Sequence, residues 1–115
     1  MQLSEFLEKI KKTSNSIEFD QVIQIIEENY VYVPTEFDNG EINNAAGENE
    51  GSCKIFAFAM LNSLSEQQTL ACFGHYYRDD VLKHPEASDH ANIRSFIKYG
   101  WSAIKFTGQA LNPKF

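Results

Sequence analysis

The chain is short of the residues that several functional classes require. Only two cysteines, Cys53 and Cys72, occur among its 115 residues. They are too few for a disulfide framework, so we expect free thiols in a reducing compartment. Basic residues are also scarce, because 10 Lys and Arg stand against 16 Asp and Glu for a formal net charge of −6. This balance argues against nucleic acid or an anionic membrane as the partner, since both require a basic surface.

Long apolar runs are missing as well. The longest follows Cys53 and falls well short of the roughly 20 residues of a membrane-spanning helix. The N-terminal stretch MQLSEFLEKIKK mixes charged with apolar residues and lacks the apolar core of a secretory signal. The length suits one compact core. We therefore expect a cytoplasmic protein that forms a single domain over residues 1–115.

Helical periodicity dominates what is present. Apolar residues recur on one helical face in 3–10 and again in 19–30. The run SCKIFAFAMLNSL is apolar almost all round, which is typical of a core helix, and we place that helix at 52–64. A helix is also expected from Ser65, which fits a capping box with Gln68, and another from Ser88 or Asp89 to Gly100. The sequence thus predicts a mainly α fold of about five helices packed around the central apolar one.

Strand patterns are few. YVYVPTEF and WSAIKFTG alternate with period two, and an isolated strand would leave its backbone groups unsatisfied. We therefore predict a minor two-stranded β element that pairs residues around 30–33 with residues around 102–106. The intervening FDNGEINNAAGENEG is predicted to be a long loop, functional or mobile, because it contains little to bury.

Cys53 is the first candidate for chemistry. It lies in the first turn of the apolar helix, where the helix N-terminus and Lys54 would lower a thiol pKa. A cysteine hydrolase or transferase also needs a base, and His75 or His90 would supply it. The alternative is that Cys53 fills the core as a small apolar side chain, which is the commoner fate of a free cysteine.

The stretch GHYYRDDVLKHPEASDH holds candidate metal ligands. His75 and Asp79 are four residues apart, as Asp80 and His84 are, but the two pairs point in different directions on one helix. His90 follows after the proline turn. The spacing matches no standard metal signature, so a solvated acidic helix face is the simpler interpretation, and no cofactor is expected.

A binding surface is the third possibility. The residues we place on it are polar or aromatic and come from the predicted loop, the start of the apolar helix and the later segments: Asn39, Asn43, Asn49, Ser52, Arg78 and Trp101. The loop is not an EF-hand, because that pattern requires glycine and glutamate where this sequence has Asn43 and Asn49. Trp101 is either a core side chain or a partner anchor.

The stretches NEGSCKIFAFAMLNSLSEQQTLACFGHYYRDDVL and DHANIRSFIKYGW resemble the HopJ type III effector family. The resemblance extends from LSEFLEKI through YVYVPTEFDNG to GWSAIKFTG. It implies an effector-like protein; secretion through a type III system is implied only by the family name. It implies no reaction, cofactor or catalytic residue.

The predicted function is binding of a protein partner or a small ligand. The binding face would combine the Asn/Glu loop, the start of the Cys53 helix and the segment 74–78. The alternatives are a cysteine-dependent enzyme using Cys53 with His75 or His90 and, third, a metal-binding protein.

Overall fold

A computed structural model describes residues 2–115. The α-helices are α1 (Leu3–Lys12), α2 (Phe19–Asn29), α3 (Glu50–Leu61), α4 (Glu66–Ala71) and α5 (Ala91–Tyr99). A π-helical segment spans Tyr76–Val81, and short 3-10 turns lie at Ser14–Ser16 and Trp101–Ala103. The strands are β1 (Tyr30–Tyr32), β2 (Phe37–Asn39), β3 (Ile42–Asn44), β4 (Ile104–Phe106) and β5 (Leu111–Pro113). The prediction of a mainly helical protein with minor strands is confirmed.

Helix α3 contains the most apolar segment of the chain and buries it. It begins at Glu50 and ends at Leu61, so the predicted range 52–64 was displaced toward the C-terminus. Phe56 is fully buried, and its ring centroid lies 5.0 Å from that of Phe96 and 5.4 Å from that of Phe73. Such ring pairs add to the stabilisation that burial itself provides.

Two helix boundaries predicted from the sequence, the start of α4 and the end of α5, are confirmed. The Ser65 hydroxyl accepts a hydrogen bond from the Gln68 backbone N–H at 3.1 Å, which begins α4 with the predicted capping box. Gly100, with φ of 70°, ends α5 in the left-handed region that glycine adopts without strain. The start of α5 is later than predicted, at Ala91 and not at Ser88 or Asp89.

The predicted pairing of 30–33 with 102–106 is wrong. β1 pairs antiparallel with β5, and Tyr30 lies opposite Pro113. β4 pairs instead with β2, and Phe37 lies opposite Phe106. β2 also forms a hairpin with β3 through a turn at Gly40, whose φ is 63°. The structure therefore has a two-stranded and a three-stranded antiparallel sheet within residues 2–115.

The β2–β3 hairpin was not predicted from the sequence, because two of its buried residues are polar. Asn39 and Asn44 are both fully buried, and both bond to Asn92 of α5. Amide hydrogen bonds thus replace the apolar contacts that reveal most strands. The segment predicted to be a loop supplies two strands before the remaining residues of that loop.

The helix expected from Ser65 is interrupted at Gly74. There φ is 60°, and a Cβ atom would lie only 2.6 Å from the backbone nitrogen of Phe19. Only glycine fits that close approach. After this break the chain continues in the π-helical segment, which lies beside the start of α2. Within residues 2–115, no helix combines the length and apolar composition needed to cross a bilayer.

Candidate functional site

A groove of about 360 Å³ opens where the N-terminal ends of α3 and α5 meet. Its walls come from five separate parts of the chain. The lining residues are mainly apolar or aromatic with a few polar ones: Phe19, Ile42, Asn49, Gly51, Ser52, Phe73, Tyr76, His90, Ala91, Asn92 and Ile93. The volume lies within the range of about 300–1,000 Å³ that is typical of small-molecule sites.

Both helices enter the groove from an N-cap residue in the left-handed conformation. Asn49 precedes α3 with φ of 49°, and His90 precedes α5 with φ of 52°. Asparagine and histidine are among the few side chains that adopt this region with some regularity. Neither N-cap side chain accepts a hydrogen bond from the helix that it precedes. The first-turn N–H groups have no acceptor within their own helix, so they contribute polar character to the groove.

A cluster of four asparagines joins the two helix starts to the hairpin. The amide of Asn92 donates to Asn44 at 2.9 Å, and that of Asn49 donates to the same oxygen at 2.7 Å. Asn39 donates to the side-chain oxygen of Asn92 at 3.0 Å. Because Asn49 and Asn92 also line the groove, this network fixes one of its walls.

Aromatic rings form a second wall. The rings of Phe19 and Tyr76 meet edge to face with centroids 5.2 Å apart. Tyr76 also packs against two imidazoles, with its centroid 4.2 Å from that of His75 and 5.3 Å from that of His90. This wall consists of planar apolar rings, and the His90 imidazole lies at its edge.

His90 connects the two walls. Its Nε2 atom lies 3.0 Å from a carboxylate oxygen of Asp80 and 3.8 Å from one of Asp89. Arg94 binds Asp89 at 2.7 Å, and that hydrogen bond lowers the pKa of the Asp89 carboxyl. The histidine therefore ties α5 to the π-helical segment that contains Tyr76.

Cys53 points away from this groove into the interior. It is 1% exposed, and its thiol donates a long hydrogen bond of 3.6 Å to the Thr35 carbonyl oxygen. Burial raises the pKa of Cys53, contrary to the expectation from its place in the first turn of α3. Cys72 is fully buried, and burial raises its pKa to about 12.

The histidines proposed as bases contact other groups. His75 lies 3.9 Å from a carboxylate oxygen of Glu18, and His90 bonds to Asp80. Neither is a hydrogen-bond partner of Cys53 in the described part of the chain. The arrangement lacks the exposed thiol of lowered pKa and the adjacent base that cysteine catalysis uses.

The candidate metal ligands are also dispersed. Asp79 pairs with Lys83 at 3.0 Å, and this hydrogen bond lowers the Asp79 pKa. His84 is exposed, and Asp80 bonds to His90 and not to His84. Among residues 2–115, no three His, Cys, Asp or Glu side chains are placed to hold one metal ion.

The residues predicted to form a binding surface are divided by the structure. Asn49 and Ser52 line the groove, whereas Asn39 is not on the surface but lies buried behind the groove wall. Asn43 is exposed and bonds to Glu36 and Asp38.

Arg78 and Trp101 have structural contacts instead. Arg78 donates to the Ile17 carbonyl oxygen at 2.8 Å and pairs with Glu18 at 2.9 Å, which anchors the π-helical segment to the start of α2. Trp101 is partly buried, and its indole N–H donates to the Leu64 carbonyl oxygen at 3.2 Å. Neither residue lines the groove.

Sequence reasoning missed several groove residues. Phe19 and Asn92 each look like ordinary helix residues in the sequence, and Ile42 lies in a stretch that reads as a loop. Gly74 was the one sequence feature that pointed to Phe19, because a glycine there permits the close approach of the start of α2.

The fold and groove define a small, mainly helical protein with an aromatic-walled cleft between two helix starts. A family model described as HopJ type III effector protein matches residues 3–111. The chain therefore belongs to the HopJ type III effector protein family, as the resemblance indicated.

A solved structure shares this fold. It is the crystal structure of VPA0580, a protein of unknown function whose sequence is 50% identical to this chain. The match covers 99% of this chain and 95% of that one, with a TM-score of 0.98. No curated protein matches the chain.

Proposed function

We propose that this effector-like protein binds a small ligand with a planar aromatic part in the groove between the starts of α3 and α5. The observation that carries the proposal is the 360 Å³ groove itself, because its lining combines aromatic walls with a few polar groups. That combination is the usual make-up of a small-molecule site.

The polar lining supports recognition of a defined ligand. Asn49 and Asn92 are held in place by amide hydrogen bonds of 2.7 and 2.9 Å to Asn44. A wall fixed in this way loses little conformational entropy when a ligand binds. The concave shape favours a small ligand over a flat protein surface as the occupant.

Three aromatic probes that differ in charge test the proposal: benzoate, indole and benzamidine. Each is titrated to millimolar concentration into the ¹⁵N-labelled protein while backbone amide shifts are recorded. We expect saturable shifts for at least one probe, concentrated at residues 49–52 and 90–93. The absence of saturable shifts with all three would overturn the proposal.

A matched pair of variants locates the binding. Ala91→Phe places a ring in the groove from an exposed position, and Ala46→Phe makes the same change at an exposed position outside the lining. The Ala91 variant is expected to lose probe binding while the Ala46 variant keeps it. Equal binding by both would place the probe elsewhere.

A further inference from the structure

His90 gives the groove a titratable edge. It and Tyr76 are the two ionisable side chains among the lining residues, and histidine is the side chain that ordinarily changes charge between about pH 5 and 8. A neutral His90 leaves the lining uncharged, whereas a protonated His90 places a positive charge on its edge.

The charged side chains next to His90 determine how its protonation changes the net charge beside the groove. On α5 and the turn before it, Arg94 pairs with Asp89 and balances its charge. Asp80, on the π-helical segment, lies 3.0 Å from His90 and has no Lys or Arg partner among the ion pairs of the described residues. The Asp80 carboxylate is therefore uncompensated when His90 is neutral and balanced when His90 is protonated.

Other charged groups around His90 are already paired or lie in solvent. Beside Tyr76, a carboxylate oxygen of Glu18 lies 3.9 Å from His75, and Arg78 also pairs with Glu18. On the α3 side, Glu50 is the exposed first residue of its helix. Protonation of His90 thus changes the local charge from about −1 to about zero beside the groove.

We propose that His90 makes ligand binding in the groove depend on pH, so that an anionic aromatic ligand binds more tightly when His90 is protonated and a cationic one more weakly. This inference rests on the proposed function, because it concerns the same groove. A charge a few ångströms from a bound ligand at the protein surface changes affinity by a several-fold factor. The shared hydrogen bond to Asp80 keeps the imidazole in position in both states, since Nε2 donates to that carboxylate whether or not Nδ1 carries a proton.

The test compares binding at about pH 5.5 and about pH 8, the range over which histidine titrates. Benzoate and benzamidine serve as probes because each keeps its charge over that range. The wild-type protein is expected to bind benzoate several-fold more tightly at the lower pH and benzamidine several-fold more weakly.

Two histidine variants assign the effect. His90→Gln keeps a donor for Asp80 but removes the titration, so its affinities are expected to vary little with pH. His75, the other histidine beside Tyr76, does not line the groove, so His75→Gln is expected to retain the wild-type dependence. A pH dependence that survives in His90→Gln would overturn the inference.

A measurement on the wild-type chain covers the case in which His90→Gln alters the fold. The ring-proton signals of the three histidines are followed against pH with and without benzoate. The midpoint of the His90 signal is expected to move upward with benzoate, while that of His84 stays in place. Probe binding without this shift refutes the role of His90 alone, whereas no binding of any probe refutes the proposed function.

Discussion

Two neighbouring residues in the first turn of α3 face opposite environments. Ser52 lines the groove beside aromatic rings and amides, whereas Cys53 is 1% exposed and faces the Thr35 carbonyl oxygen in the interior. Successive residues of a helix are rotated by about 100°, so adjacent positions reach different surroundings. At this helix N-terminus burial has the largest effect on the thiol, and it raises the Cys53 pKa.

Introducing the same carboxylate at both positions gives the largest expected contrast. Cys53→Asp buries a charge without a cationic partner, so we expect the free energy of unfolding to fall by about 3–5 kcal/mol. Ser52→Asp places the charge at a helix N-terminus near solvent, where a carboxylate raises the free energy of unfolding by about 0.3–1 kcal/mol. Urea unfolding of both variants checks this, and an equal loss at both positions would remove the contrast.

The glycine break beside the groove gives an intermediate effect. Gly74→Ala adds a Cβ that would meet the Phe19 backbone nitrogen at 2.6 Å, in addition to strain at a φ of 60°. We expect a loss of at least about 2 kcal/mol in the free energy of unfolding.

Gly47→Ala is the matched control for this prediction. Its φ is also positive, at 89°, but no atom lies within 4 Å of the added Cβ. Its loss is expected to be limited to the backbone strain, about 1 kcal/mol. Thermal melts of the two variants separate strain from steric contact, and similar losses would show that the close approach to Phe19 matters little.

The buried thiols predict a smaller effect that depends on pH. Burial raises the pKa of Cys72 to about 12, whereas a free thiol has a pKa of about 8.5. Above that pH the unfolded chain releases a proton that the folded chain retains. The free energy of unfolding is therefore unaffected by Cys72 below about pH 8.5 and declines as the pH rises further. One pH unit above the free-thiol value, Cys72 accounts for a loss of roughly 1.4 kcal/mol in the free energy of unfolding.

Denaturant unfolding at neutral and alkaline pH measures this decline, and Cys72→Ala is expected to reduce it. Iodoacetamide alkylation, resolved by residue, provides a second reading on both thiols. We expect Cys53 and Cys72 to be labelled slowly in the folded protein and quickly once it unfolds. Fast labelling of Cys53 in the folded protein would contradict its burial in the interior.

Much of the helical part of the fold could be predicted, because apolar periodicity and end signals are local. The capping box at Ser65 and Gln68 and the glycine end of α5 at Gly100 follow from residues close in sequence. The strand pairing could not be predicted, since it depends on contacts between distant segments. Asn112 and Pro113 give β5 no recognisable strand pattern, although β5 is the partner of β1.

The candidate site was predicted in part. The start of the Cys53 helix and the preceding loop do contribute Asn49 and Ser52 to the groove. Phe19 and Asn92 were missed, because nothing in the sequence shows that the starts of α2 and α5 approach that loop. Asn39 was expected at the surface, yet it is fully buried, where its side-chain N–H groups donate to the backbone and side-chain oxygens of Asn92.

The sequence by itself determined the mainly helical character, the family and the positions of several helix ends, since these depend on periodicity, local capping and similarity along the chain. Only the tertiary structure decided that Cys53 faces the interior, that Asp80 pairs with His90, and that two helix starts enclose a groove. Those outcomes depend on how segments far apart in sequence approach one another. The small differences in burial and distance that control side-chain chemistry arise from that packing.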